Sequence, residues 1–400
     1  MQIKQLPADF QEALPVLEAI EQAGYEAYFV GGSVRDHILG LPIHDVDIAT
    51  SAYPEEIKGI FKRTIDTGIQ HGTVTVLMGD DSYEITTFRT ESGYQDFRRP
   101  DKVTFVRSLA DDLKRRDFTI NALAVDVKGN VIDKFDGLKD LDKKIIRAVG
   151  KAEERFHEDA LRMMRAVRFQ AQLDFTVERK TAQAIADNAP LLEKIAVERI
   201  REEFVKMMLS NSWQIGFADF LKLKLSEYCP GFKGQSAELT ELLEPQNKVF
   251  LDEDQAWTAI GFVLNLNHNE FNKLLRNWKV SNKTREASVN TLNMLHLFEN
   301  EDFDPWNIYK LGVDNLERTI QLCQMFGIEF AYETLRQKIT QISIKNGHDL
   351  ALTGKDICEI LGVKPGPIIG KSMSQIERAV VEGNVSNNFE DLRHYLLSNQ

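Results

Sequence analysis

The chain has 400 residues, a formal net charge of −12 and 43% hydrophobic residues. That length holds roughly two to four domains with sizeable cores, and the apolar content is that of globular proteins. No apolar run approaches the roughly 20 residues of a membrane-spanning helix, and residues 1–22 lack the charged start and apolar core of a signal peptide. Cys229, Cys323 and Cys358 lie far apart and form no CxxC. They argue against a zinc site or disulfide framework and for a reducing cytoplasm. The acidic balance discourages non-specific polyanion binding but still allows a local basic stripe.

Residues 7–24 have the period of an amphipathic helix ending at Gly24. Ala27–Val30 is a short apolar run suited to a buried strand. Gly31 and Gly32 stop it, Ser33 is an expected N-cap, and residues 34–39 open a helix. A helix N-terminus behind a glycine turn binds anions, and Arg35 adds a positive charge there. His44-Asp45-Val46-Asp47-Ile48-Ala49 follows as an expected strand. Its period places Asp45 and Asp47 on one face, with Val46 and Ile48 toward the core. Two neighbouring carboxylates repel unless a cation lies between them. Mg²⁺ binds through one or two carboxylates plus substrate phosphates. A phosphate cradle and a magnesium site this close together suit metal-assisted phosphoryl or nucleotidyl transfer.

A helix is expected from Pro54. Residues 73–78 and 82–88 alternate as a hairpin across Gly79-Asp80-Asp81. Glu84 is read two ways, as a third acidic group on the DxD face or as a solvent-facing strand residue. Residues 89–102, RTESGYQDFRRPDK, are polar and without period, and are expected to form a long loop. Arg115, Arg116 and Asp117 follow a helix, and residues 131–149 supply a strand, an Asp136-Gly137 turn and a second strand.

From Lys151 the pattern turns helical. Residues 155–173, RFHEDALRMMRAVRFQAQL, read as one helix with Leu161, Met164, Val167 and Ala171 as its apolar stripe. Asp159, Arg162, Arg165 and Arg168 recur every third residue, so Asp159 and Arg162 would be surface neighbours. Their plain reading is an intrahelical salt bridge. Their functional reading comes from base chemistry. Cytosine and adenine both present an exocyclic amine beside a ring-nitrogen acceptor. An aspartate accepts from the first and an arginine donates to the second. Uracil and guanine leave both side chains mispaired, at about 1–3 kcal/mol or more.

GGSVRD and HDVDIAT together resemble the nucleotidyltransferase signature of the bacterial-type (class II) CCA-adding enzymes and their relatives, the bacterial poly(A) polymerases. EDALR resembles that family's EDxxR template motif, RRDFTINA a motif of sugar and phosphate contacts, and ERIREE (residues 198–203) a motif that supports the neck. Residues 96–100 resemble its flexible loop for switching from C to A. The resemblance implies an α+β fold: a small mixed-sheet catalytic head over residues 1–150, then an all-α neck (151–211), body (212–300) and tRNA-binding tail (301–400). It implies Mg²⁺ on Asp45 and Asp47, the catalytic pair. It implies CTP and ATP contacts at Gly32, Arg35, Arg116, Asp159, Arg162, Arg165 and Arg168. The implied activity is template-independent addition and repair of the 3′-terminal CCA of tRNA, with tRNA, CTP and ATP as partners, no membrane, and a homodimer left open. Alternatives are a poly(A) polymerase, an enzyme adding only CC or only A, and an inactive RNA-binding module. The missing basic C-terminal extension argues against the first, and the paired aspartates against the last.

Overall fold

The short apolar runs of the first third assemble a seven-stranded mixed sheet in the order β3-β4-β5-β2-β1-β8-β9. Its strands are β1 (Ala27–Val30), β2 (Asp47–Thr50), β3 (Thr64–Gly68), β4 (Thr73–Met78), β5 (Asp81–Thr87), β8 (Leu123–Val125) and β9 (Val131–Asp133). β2 runs antiparallel to β1 and parallel to β5, with Asp47 opposite Glu84. Val30, Ala49, Phe88, Leu113 and Ala124 pack one buried cluster of this head. The N-terminal helix Ala8–Gln22 packs by stacking Phe10 on Phe29, with ring centroids 4.2 Å apart. The computed structural model describes residues 1–95, 99–244, 249–340 and 342–399.

Three elements depart from the sequence reading. The expected loop at 89–102 is instead a hairpin of its own, β6 (Arg89–Gln95) against β7 (Arg99–Phe105). Backbone pairing forms it without apolar alternation, which is why the side-chain period gave no sign of it. Asp96, Phe97 and Arg98, the centre of the loop compared with a flexible switching loop, lie outside the described residues. Asp136-Gly137 opens the short helix Gly137–Asp142, with Asp136 at φ 59°, and does not turn between two strands of the sheet. The strand that follows, β10 (Ile145–Ile146), pairs in parallel with β11 (Thr176–Val177).

The helix expected over 155–173 is two helices, Ala152–Glu158 and Leu161–Leu173. They are broken at Asp159, whose φ −141° and ψ 103° are extended. The expected apolar stripe holds, with Leu161, Met164, Val167 and Ala171 all buried. This second helix packs against Val197–Met208 and Trp213–Lys222. Gly216 permits the close approach, because a β-carbon there would run into the Val167 carbonyl and lie 2.9 Å from Ala171 Cβ.

The chain divides into two compact units, Met1–Ser236 and Ala237–Gln400. The second unit is helical throughout its described elements, from Glu253–Val263 to Phe389–Ser398. Turn-like clusters in the sequence become caps there: Asn267 and Glu270 form a capping box before His268–Asn277. Its buried residues include Trp257 and Trp278, 5.1 Å apart, and a cluster of Leu352, Ile357, Ile376, Val380 and Leu392. Among the described residues no helix is long and apolar enough to cross a membrane.

Candidate active site

The turn after β1 sets the floor of a cleft. Gly31 has φ 75° and ψ −136°, a backbone that residues with a β-carbon avoid. A β-carbon there would lie 3.0 Å from Arg116 Nη1 and 3.5 Å from Asp47 Oδ2, so the glycine also makes room for both side chains. It is Gly31, not Ser33, that caps the helix Gly32–Ile38. Ser33 lies inside the helix and donates its hydroxyl to the Val30 carbonyl at 3.1 Å.

Asp47 begins β2, and Asp45 lies in the irregular segment before it. The expected strand therefore starts three residues late, yet both aspartates line the same cleft. By area Asp47 is exposed, but its carboxyl rests against the glycine turn. It is pushed above the ordinary carboxylate range, first by desolvation. Arg116 opposes that shift, and the charges of Glu84 and Asp45 add to it. Glu84 thus sits close enough to act on Asp47, as its register requires. Oxygen-only donors that repel one another suit a hard divalent cation. Among the described residues, no three His, Cys, Asp or Glu side chains are already gathered as a metal site. Asp45 and Asp47 are the two carboxylates of this cleft wall that could hold such a cation.

The cleft, of about 750 Å³, is lined by Gly32, Arg35, Asp45, Asp47, Arg116, Asp159, Arg162, Arg165 and Arg168. All nine residues singled out in the sequence therefore open onto one space. Arg35 is buried and held by Asp36, at 2.8 Å, and by Asn121, to which it donates at 2.6 Å. Arg165 donates to Asp117 at 2.8 Å. Burial alone would raise the Asp117 carboxyl, but Arg165 and Asn121 hold it well below the usual carboxylate range. Arg168 is lowered to about 10, first by burial, although Glu203 lies 2.6 Å away and works the other way.

Asp159 and Arg162 do not pair with each other. The helix break turns Asp159 away, and its carboxylate accepts from Arg199 at 2.9 and 3.3 Å and from the Leu161 amide at 3.1 Å. Arg162 donates to Glu158 at 2.6 Å and to the carbonyls of Arg155 and Arg115. The intrahelical salt bridge is thus replaced by two separate clamps.

Sequence reasoning missed Arg115, Asn121 and Phe169 as cleft residues, and gave Arg199, Glu202 and Glu203 of ERIREE only a supporting role. The Phe169 ring lies under three guanidiniums, those of Arg35, Arg165 and Arg168, at 4.9, 5.2 and 4.0 Å. It faces a cluster of like charges that only an aromatic surface or an anion relieves. No local pattern marks that ring. Arg199 and Glu203 could have been found in ERIREE, had the excess of arginines on Leu161–Leu173 been matched to acids elsewhere.

Three family models match the chain. The poly A polymerase head domain covers residues 27–147, the "Probable RNA and SrmB- binding site of polymerase A" residues 174–235, and tRNA nucleotidyltransferase domain 2 residues 249–396. The CCA-adding enzyme of Lactobacillus gasseri is 53% identical over the full length of both chains. That of Enterococcus faecalis is 50% identical over 98% of this chain and 97% of its own. The crystal structure of the Bacillus stearothermophilus CCA-adding enzyme in complex with CTP superposes with a TM-score of 0.85 at 39% identity, covering 98% of each chain. With identity this high from end to end, this chain belongs to the family of CCA-adding enzymes.

Proposed function

We propose that the chain adds and repairs the 3′-terminal CCA of tRNA, using CTP and ATP, without a nucleic-acid template and with release of pyrophosphate. The observation that carries this reading is the convergence of the aspartate pair and the Asp159 and Arg162 side chains on one cleft. Relatives named CCA-adding enzymes along the whole chain support it.

Asp45 and Asp47 are the ligands for a divalent ion, Mg²⁺ by the chemistry of their oxygens. When bound, such an ion polarises the attacking and leaving oxygens of an in-line displacement. The chain's own residues do the remaining work. Gly32, Arg35 and Arg116 hold the triphosphate. The terminal ribose hydroxyl of tRNA forms its bond to the α-phosphorus as the bond to the β-phosphate oxygen breaks. Arg165 and Arg168, over Phe169, face the same anionic substrate.

Base choice falls to Asp159 and Arg162. Arg162 spends three of its five N–H groups on Glu158 and two carbonyls, which leaves two to donate to a ring nitrogen. The Asp159 carboxylate, with about four acceptor positions, keeps room for an exocyclic amine beside Arg199. Uracil and guanine would oppose both groups. We read residues 1–150 as the head, 151–211 as the neck, 212–300 as the body and 301–400 as the tail. The helical parts grip the tRNA backbone by shape, and the chain works in the cytoplasm.

Purified protein incubated with 3′-trimmed tRNA, Mg²⁺ and labelled CTP or ATP should extend it by C, C and A and then stop. Long A tails would identify a poly(A) polymerase, and growth by C alone or A alone a partial enzyme. No incorporation would favour a binding module.

A further inference from the structure

The head holds a buried carboxylate with no place in the mechanism above. Asp112 is 1% exposed and stands in the first turn of the short helix Leu109–Lys114. Its two oxygens face different parts of the head. Oδ1 accepts from Arg115 Nε at 3.0 Å and Nη2 at 2.8 Å, and from the Arg89 amide of β6 at 3.4 Å. Oδ2 accepts from Arg116 Nη2 at 3.2 Å. Arg115 continues the chain of contacts, donating from Nη1 to Glu91 of β6 at 3.2 Å. Its carbonyl accepts from Arg162 at 2.9 Å. One carboxylate thus ties the first strand of the β6–β7 hairpin to the guanidinium over Gly31 and, through Arg115, to the base-reading arginine.

A buried carboxylate shared among an amide and two guanidiniums cannot follow one partner without disturbing the others, because each contact it loses leaves a desolvated charge unmatched. We propose that Asp112 is a positioning residue that sets Arg116 for the nucleotide and links nucleotide occupancy to the position of the β6–β7 hairpin through Arg115 and Glu91. The proposal rests on the reading of Arg116 as a nucleotide contact. A triphosphate that draws Arg116 toward itself pulls on Oδ2. The hairpin's first strand, held at Oδ1 and by Glu91, then loses freedom along with it.

Amide hydrogen exchange on the full chain, with and without saturating CTP, tests the link. In the native protein CTP should slow exchange along the described ends of β6 and β7 as well as at the cleft. The Asp112→Asn variant should raise the KM for CTP about ten-fold, the scale for one lost charge-assisted bond, while kcat stays within about two-fold. At saturating CTP it should show no added protection in the hairpin. Should Asp112→Asn not fold, Glu91→Gln cuts the hairpin from Arg115 and leaves Asp112 intact. It should keep the native KM and show a hairpin response weaker than native, because the Arg89 amide still holds Asp112. Hairpin protection equal to native in either folded variant, or CTP binding to native protein with no change in β6, overturns the proposal. Native protein that binds CTP but adds no C, C, A to trimmed tRNA overturns the functional reading and leaves the exchange result to judge the linkage.

Discussion

The two units of the chain treat buried polarity differently. In Met1–Ser236 the buried polar residues include seven charged ones: Arg35, Asp112, Asp117, Asp140, Arg162, Arg168 and Glu203. In Ala237–Gln400, the described buried polar residues are all neutral, Gln255, Thr258, Ser288, Thr291, Asn315, Thr319 and Ser372. Thr258 and Thr319 satisfy their hydroxyls on main-chain carbonyls one turn back. A buried charge costs several kcal/mol unless matched, so evolution keeps one mainly where chemistry needs it. Six of the seven lie in or beside the cleft; Asp140 is the exception, tying Arg147 and Thr119 together. The acidic surplus of the whole chain says little about the cleft, because the charge buried at the cleft is this local, mostly paired set.

The sharpest break in that comparison comes from the aspartate pair. Asp45→Ala should lower nucleotide transfer on the order of 10³-fold, as loss of several kcal/mol of transition-state stabilisation requires, while thermal unfolding stays native. Labelled CTP incorporation measures it, and a variant that keeps native turnover would refute the metal assignment. Next in size is Glu203→Ala. It strands Arg168, buried and 2.6 Å from its acid, and should cost about 3–5 kcal/mol of stability in denaturant unfolding. A cost below 1 kcal/mol would mean that water or Asp117 already compensates the arginine. Asp159→Ala should follow, relaxing discrimination against UTP by about 1–3 kcal/mol in competition assays. Unchanged selectivity would remove Asp159 from base reading.

The same contrast explains what could be read from the chain. The glycine turn, the DxD and the arginines at 162, 165 and 168 are local patterns, and the family resemblance they carry pointed to one site. Partner choice was not local. Asp159 finds Arg199 forty residues away, and the break at Asp159 followed from tertiary demand that no helical period reports. Residues 89–95 and 99–105 hid a strand pair because their pairing is by backbone, in a segment whose sequence shows no alternation. The cap at Gly31 was misassigned to Ser33 because the approach of Arg116 and Asp47, which forces the turn, comes from other elements. In the second unit helices and caps were legible, since capping boxes such as Thr353 with Asp356 are three residues wide, but no chemistry stood out because none of its described charged residues is buried.

Neutral burial predicts a smaller response. Thr258 donates to the Asp254 carbonyl at 2.8 Å, and its hydroxyl also reaches the Ser288 carbonyl at 3.2 Å. Thr258→Val removes that donor at nearly constant volume, and should cost about 1 kcal/mol in the same unfolding assay. A loss as large as that of Glu203→Ala would erase the distinction drawn between the units.

The smallest effect is expected from an ion pair at the head's surface, where geometry is excellent and solvent is near. Arg107 donates to both oxygens of Glu56 at 2.8 Å and lies 3.9 Å from the Tyr53 ring centre. Glu56 is lowered from 4.5 to about 2, first by the Arg107 hydrogen bonds and against desolvation, with the Tyr53 amide helping. A carboxyl whose folded pKa is depressed adds stability above its unfolded value and loses it as pH falls through the folded one. The Glu56 contribution is therefore whole above about 4.5 and gone below about 2. Both side chains are partly exposed, so screening limits it to under about 1 kcal/mol. Glu56→Gln should accordingly cost little at pH 7 and flatten the stability curve between those two pH values. Native and variant curves that stay parallel down to pH 2 would show that acid sensitivity belongs instead to the buried carboxylates of the cleft, Asp112 and Asp117, both also lowered.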